Sequence, residues 1–473
     1  MDINSQEHIK AIAPDVGKAY QLGKDQKYDE AYQVLMPHFE AKEIPVYFEE
    51  PCGWTIYRFL KNNESKLSSR DIRKALAFYL TFASCKPSTL HSCIMMQAAN
   101  LEKRHENNFR FIEFCLMWKL ESLREEDFVP GKGTAENGKS IEFQSLAENV
   151  ATRLYKELKS RHTEDFVNKL FPFFVTIKEK CPKNRFIGMY IAQLYYWQGN
   201  TDKAIEEYKN ILRMAPEWFI WKHLGDICED ADIKISMYCK AMTMMGKDEY
   251  IGELRLALAN LLLESNKEHA AYEIEQYMKT YKDNNWKIAG DVYMLQNKLL
   301  GVAPSTQAKQ FYRNNIDKAE DFAYSDIPVE ELTYNGIVTN HAGKEKASLV
   351  NKRKKIFVRT SLTPQLRKAN VGDVFLVRVY EHQKRTIALT IHPTDKKNVH
   401  SNTHSTKQGN ETDVTVCGVV SFPAQGEFCF IDHQYYVSEK LTKTNNLKAG
   451  DSVKVKAKKM PDGRWRVVSI INE

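Results

Sequence analysis

Three aromatic residues near the C-terminus, Phe428, Phe430 and Tyr436, have the spacing for stacking chemistry. At period 2, Phe428 and Phe430 share one face of a strand, and Tyr436 falls beside them when the next strand pairs back. Aromatic rings on an open strand face give nucleobases a platform, because every base has a π-face. Lys454, Lys456 and Lys458 alternate on a later strand and suit phosphate contact. The same alternation would also suit the inside of a small barrel, where aromatics fill the core. Both readings stand at this level.

A second set of candidates lies upstream: the basic run Lys352, Arg353, Lys354 and Lys355, followed by Phe357 and Arg359. Such a run makes phosphate contacts or is a solvated loop. The sequence Gly133-Thr-Ala-Glu-Asn-Gly-Lys139-Ser140 matches the phosphate-cradling pattern G-x-x-x-x-G-K-[ST]. That chemistry needs a buried strand before the loop and a helix directly after it. Here the preceding residues are polar and end in Pro130-Gly131, so the expectation is a loop between helices. His400 and His404 are four apart with Cys417 farther on, too few ligands for a zinc site. There is no H-E-x-x-H, C-x-x-C or G-x-S-x-G pattern. A non-enzymatic protein without a cofactor is therefore expected.

Short alternating segments must position the C-terminal residues: Val414–Phe422, Glu427–Ile431, Tyr435–Ser438, Ser452–Lys458 and Trp465–Ile471. Their order resembles a cold-shock domain, a five-stranded barrel of the OB type that binds single strands. The resemblance places its two ribonucleoprotein motifs at Phe428-Cys-Phe-Ile431 and Tyr436-Val-Ser438. It puts Phe422 where the family has a strand-one Trp. The chain departs from the family at Cys429, where a Gly is usual, and at Ser438, where a His is usual. A more diverged copy is read over 333–392, from Tyr334–Val338, Ala347–Val350, Lys355–Arg359, Asp373–Tyr380 and Thr386–Ile391. Residues 393–413 read as a linker and 414–473 as the second barrel.

The first 325 residues carry helical periodicity. Residues 1–125 read as paired helices, with Ser69 and Thr89 as caps and Pro37 punctuating a connection. Phe111, Phe114, Cys115 and Trp118 form one apolar helix side. Residues 126–184 continue the helical array. Over 185–325 small residues recur at Ala192, Gly225, Ala259 and Gly290, and Trp221-x-x-Leu224-Gly225 recurs as Trp286-x-x-Ala289-Gly290. This resembles the tetratricopeptide repeat, whose helix hairpins stack into a solenoid with a concave face. Ser305–Asp321 reads as a capping helix and Ser325–Glu331 as a connector. The expected fold is an α-solenoid followed by two small β-barrels.

Composition agrees with a globular chain: 473 residues, 43% hydrophobic and 27% charged. No apolar run is long enough to span a membrane, and no signal-peptide core is present, so a cytoplasmic protein is expected. Nine scattered cysteines suit buried free thiols in a reducing compartment. The net charge of +7 conceals an asymmetry: residues 333–473 hold 24 Lys and Arg against 12 Asp and Glu, whereas the remainder holds 44 against 49. A basic third on a slightly acidic body is the electrostatic footprint of polyanion binding.

The combination of tetratricopeptide-like body and paired cold-shock-like barrels resembles the accessory proteins of TOTE conflict systems. That resemblance implies bacterial antiphage or mobile-element defence, with a nuclease, helicase or primase as protein partner. The residues themselves point to single-stranded RNA or DNA as ligand of the barrels and a protein as ligand of the helices. The alternatives are a pure protein-interaction adaptor and a P-loop nucleotide hydrolase.

Overall fold

The computed structural model describes residues 4–105, 110–135, 138–245, 247–339, 345–359, 363–382, 385–397, 413–423, 428–432, 434–460 and 464–471. Helices dominate up to Ala323, and strands follow. Helix starts obey local chemistry: the side chains of Ser5, Ser145, Thr163, Asn184, Asn200, Asp230 and Asn266 each accept a first-turn backbone N–H. Two expected caps shift by one residue. Ser68, reciprocally bonded with Asp71, caps Ser69–Phe82, and the Ser88 hydroxyl accepts the His91 N–H at the start of Thr89–His105. Pro37 does not end its helix but lies inside Tyr28–Ala41. Leu35 and Phe39 on either side of it are both fully buried, and their burial outweighs the one hydrogen bond that a proline removes.

Between 185 and 283 the helices pack in consecutive pairs: Arg185–Trp197 with Thr201–Met214, Trp218–Ile227 with Ala231–Met244, and Gly252–Leu262 with Lys267–Asp283. Ala192 and Ala259 are fully buried. At Gly225 an added Cβ would lie 2.8 Å from the Tyr238 ring and 3.3 Å from Met237, so only glycine permits that approach. The fourth small-residue position, Gly290, is not a close approach. Trp221 is fully buried, yet Trp286 is 44% exposed and Gly290 has open space around it. Lys267–Asp283 ends in a turn where Asn285 takes φ 55°, leaving Trp286–Ala289 outside any helix. Carried on no helix of its own, Trp286 lies edge-on against Tyr281 at 5.3 Å and stays half exposed.

The expected single capping helix is two, Ala308–Asn314 and Asp317–Ala323, both packed on Ala231–Met244. The Ala319 N–H donates to Ser236 Oγ at 2.8 Å, joining the second of them to that helix. The first is held by a buried polar network. Arg255 donates to Glu273 at 2.6 Å, and the Tyr312 hydroxyl donates to the other Glu273 oxygen. Glu273 is fully buried and Arg255 nearly so.

The phosphate-loop lookalike is a β-hairpin. β1 (Gly131–Thr134) pairs antiparallel with β2 (Ser140–Phe143), and Phe143 lies over Gly133, whose Cβ would meet the ring at 2.5 Å. Lys139 and Ser140 are exposed. The next helix, Leu146–Arg161, is started by Ser145 and Glu148 and not by the glycine-rich turn. Because β2 intervenes, the glycine-rich turn does not lead directly into the N-terminus of the following helix, the geometry that phosphate cradling requires. We therefore expect Lys139→Ala to leave the melting temperature unchanged with ATP or GTP present, as followed by a thermal-shift assay. A nucleotide-dependent shift abolished by the substitution would contradict this.

After the helices come β3 (Val329–Thr339), β4 (Glu345–Val350), β5 (Lys355–Arg359), β6 (Asp373–His382) and β7 (Arg385–Lys397), in the sheet order β5-β4-β3-β6-β7. Closure of this sheet into a barrel is not seen among the described residues. β7 runs five residues into the expected linker, and β3 begins inside the expected connector. The remaining strands are β8 (Asp413–Ser421), β9 (Cys429–Ile431), β10 (Tyr435–Val437), β11 (Ser452–Lys459) and β12 (Trp465–Ile471). These close into a barrel in the cyclic order β10-β12-β11-β8-β9, with β10 and β12 parallel. A short helix, Glu439–Thr444, connects β10 to β11, as Pro364–Arg367 connects β5 to β6. Element order and neighbour order are thus repeated in the two modules.

By contact density the chain forms two units, Met1–Glu330 with Val377–Thr390, and Glu331–Leu376 with Ile391–Glu473. In the first unit, Arg378 donates to the carbonyls of Tyr324 at 2.7 Å and Ile327 at 2.5 Å, and to Asp321 at 2.6 Å. A guanidinium on carbonyls just past a helix end satisfies acceptors that the helix leaves open and complements its dipole. Arg378→Ala in the full chain should cost about 1.5–3 kcal/mol, the scale of hydrogen bonds to a charged group. Denaturant unfolding of the helical signal checks this, and an unchanged midpoint would contradict it. A helical fragment that omits Val377–Thr390 lacks part of its own core, since Tyr380 and Leu389 pack against the helices.

Candidate nucleic-acid interface

The closed barrel buries Val420, Cys429, Ile431, Val437, Val455, Ala457 and Val467. Strand alternation then turns Ser421, Phe430, Tyr436, Lys454, Lys456 and Lys458 outward. Phe428 joins this outer face: its ring centroid lies 5.8 Å from Phe430 and 5.5 Å from Tyr436, and Phe430 lies 5.9 Å from Tyr436. The three rings are half-buried and stand outside the barrel core. Of the two uses open to them in the sequence, barrel filling is the one the geometry does not employ. Their planes meet at 79°, 46° and 68°, so their π-faces diverge. Such a surface suits bases splayed apart along a single strand better than bases stacked in a duplex.

Register adds a cation that sequence reasoning missed. Ser421 pairs with Phe430, Phe430 with Tyr436, Tyr436 with Arg466, and Arg466 with Lys458, so these residues form one row around the barrel. Arg466 is exposed beside the aromatic trio. Its alternation with Val467 signals an outward side chain, but only the parallel pairing of β10 with β12 places it next to Tyr436. Lys458 follows in the row. Lys456 pairs with Ser469 and Lys454 with Ile471, progressively farther along β12. Phe422, just past β8 and 39% exposed, stands outside the trio of contacting rings.

The two departures from the cold-shock pattern that the barrel resembles have separate consequences. Cys429 points into the barrel within 3.3 Å of Thr442 Oγ1, where burial raises its thiol pKa, so it leaves the outer platform clear. Ser438 sits at the N-cap of Glu439–Thr444 and contributes no ring. At Gly418 an added Cβ would lie 2.6 Å from Ile431 and 2.3 Å from the Asp432 carboxylate, which accepts the Val419 N–H. Glycine here lets the β9–β10 turn lean onto β8 and fixes the hairpin that carries the rings.

In the first module, Lys355, Phe357 and Arg359 face outward on β5, with Ile356 buried between them. Phe357 is 48% exposed, and the Lys355 ammonium lies 5.3 Å from its ring centroid. Arg359 pairs with Lys346, a further cation not read from the sequence. Lys352, Arg353 and Lys354 occupy the β4–β5 turn. His400 and His404 lie outside the described residues. Among the described residues no group of His, Cys, Asp and Glu could hold a metal ion, and no helix is long and apolar enough to cross a membrane.

Fold and site together define a chain of paired helices joined to a closed five-stranded barrel with an external aromatic and basic face. Residues 185–319, the paired and capping helices, match a family described as a domain of unknown function, DUF7017. No curated protein matches the chain.

Proposed function

We propose that this protein is a non-enzymatic nucleic-acid-binding scaffold, in which the C-terminal modules bind single-stranded RNA or DNA and the helices bind a protein. The observation that carries the first half is the trio Phe428, Phe430 and Tyr436, with Arg466 and Lys458 next in register. Stacking faces beside cations form the general recipe for single-strand binding. The strand order of the closed barrel, with one parallel pair and a helix after its third strand, supports reading it as an OB-type domain. The first module, with the same neighbour order, is read as its diverged copy.

The second half rests on the helices. Their consecutive pairing supports a tetratricopeptide-like solenoid, and Trp286, Tyr293, Met294 and Leu300 are all exposed near its end. Large apolar side chains left exposed in one short stretch supply anchors that a protein partner can cover. The likeness to TOTE accessory proteins suggests a nuclease, helicase or primase as the partner and bacterial defence as the setting. Crosslinking in cells, followed by sequencing of bound nucleic acid and mass spectrometry of bound proteins, tests both halves. Crosslinks to Phe428, Phe430 or Tyr436 are expected. Protein partners without any crosslinked nucleic acid would favour a pure adaptor instead.

A further inference from the structure

The two modules place equivalent hairpins at equivalent positions, yet fill them with opposite chemistry. β4–β5 corresponds to β9–β10 by strand order, and the register pair Ser348 with Phe357 takes the place of the outward pair Phe430 with Tyr436. From Glu345 to Arg359 the sequence holds six Lys and Arg, one acidic residue and one aromatic ring. From Phe428 to Val437 it holds no Lys or Arg, one Asp and four aromatic rings.

Ser348 offers no ring where its counterpart Phe430 does, and its side chain is fully buried. The lone ring of the first hairpin, Phe357, already lies against the Lys355 ammonium. A ring so occupied supports the cation and presents it outward. The turn is also built to hold charge in place. Asn351 Oδ1 accepts the N–H groups of Arg353 at 2.9 Å and Lys354 at 2.8 Å, and the Asn351 N–H donates to the Lys354 carbonyl at 3.0 Å. Side-chain capping of this kind fixes a turn that its charges would otherwise push apart. Lys352, Arg353, Lys355 and Arg359 are exposed around it. The acidic exception, Glu345, begins β4 opposite Thr339.

We propose that the β4–β5 hairpin is a clamp for the sugar-phosphate backbone, blind to the bases, while the β9–β10 hairpin stacks the bases of the same single strand. This rests on the nucleic-acid reading above and assigns a different ligand chemistry to each module. Phosphodiester charge is what six cations along one hairpin, with its turn capped by Asn351, can hold. Base identity is what diverging ring faces can sense.

Two probes separate the roles in the full-length protein: a thymine strand, and an abasic deoxyribose-phosphate strand of equal length. The combined variant Lys352→Gln, Arg353→Gln, Lys355→Gln and Arg359→Gln changes exposed positions only, and circular dichroism and melting check its fold. We expect it to lose abasic binding more than tenfold. For the thymine strand, the slope of log K against log salt should fall by about 3, since each phosphate contact on a single strand contributes about 0.7. Phe428→Ala should weaken the thymine strand alone, leaving abasic binding and the salt slope unchanged.

The clamp is overturned if the abasic strand fails to bind while the thymine strand binds, or if the fourfold variant weakens binding with no change in slope. It is also overturned if Phe428→Ala weakens both strands equally. Abasic and thymine strands that bind alike, unaffected by Phe428→Ala, would keep the clamp and remove the stacking platform. Failure of both strands to bind the unmodified protein would remove the nucleic-acid reading itself and the clamp with it.

Discussion

Replacing Phe428 with Ala is expected to weaken single-strand binding by about 1–3 kcal/mol, or roughly 5- to 150-fold in Kd. The ring contacts both Phe430 and Tyr436 on the barrel exterior, so its loss removes one stacking face and loosens the two that remain. Barrel stability should change far less, because the interior is filled by Val420, Cys429, Ile431, Val437, Val455, Ala457 and Val467. Fluorescence anisotropy with labelled RNA and DNA strands gives the affinity, and a thermal melt shows whether the fold persists. An unchanged Kd in a folded variant would rule out the platform. Affinity that does not fall with added salt would rule out the phosphate contacts assigned to Arg466 and the lysines. Arg466→Ala supplies an internal comparison: it should flatten the salt dependence by about 0.7 in slope, which Phe428→Ala should not do.

The largest loss of stability is expected from Arg255→Ala. The guanidinium joins Glu273 and Asp248, each at 2.6 Å, and Glu273 in turn receives the Tyr312 hydroxyl from the capping helix. Removing one partner of a buried ion pair leaves an uncompensated charge and costs about 3–5 kcal/mol. The midpoint of chemical unfolding should fall accordingly, and replacement of both Arg255 and Glu273 by Met should restore much of the loss.

The pH dependence distinguishes this mechanism from simple loss of packing. Burial already pushes the Glu273 carboxyl above the usual carboxylate range, despite the opposing pull of Arg255. Without Arg255 that upward shift grows. A carboxyl whose folded pKa lies above its unfolded value binds its proton more tightly in the folded state. The stability it confers is present below the ordinary carboxylate pKa and is lost as pH rises through the folded value. The deficit of Arg255→Ala relative to the unmodified protein should therefore shrink as pH falls from neutrality toward about 4.5. A deficit independent of pH would point to packing alone.

Period-2 alternation located every strand of both modules, though β3 starts earlier and β7 ends later than read, and it placed Phe428 and Phe430 on one face. What alternation cannot say is which face is wet. A one-residue change of register exchanges the two, and only the packing of Cys429 and Ile431 into the barrel put the rings outside. Arg466 was equally illegible, because its place beside Tyr436 depends on a parallel pairing across some thirty residues of chain.

Among the helices, two caps were legible to within one residue, and the buried small residues Ala192, Gly225 and Ala259 to the position, because their causes are local. Trp286 shows the limit. Its spacing copies Trp221, but a Trp fills a groove only where a preceding helix continues to present it, and the turn at Asn285 ends that continuity. The phosphate-loop letters failed for the same kind of reason. Gly133 to Ser140 specify a permissive backbone, and the pairing of β1 with β2 makes it a hairpin turn and not a helix start. Residue types and their local periods follow from the sequence directly, since they depend on neighbours within a few positions. Inside or outside, register and loop geometry are set by contacts between distant segments, and the tertiary structure alone supplies those.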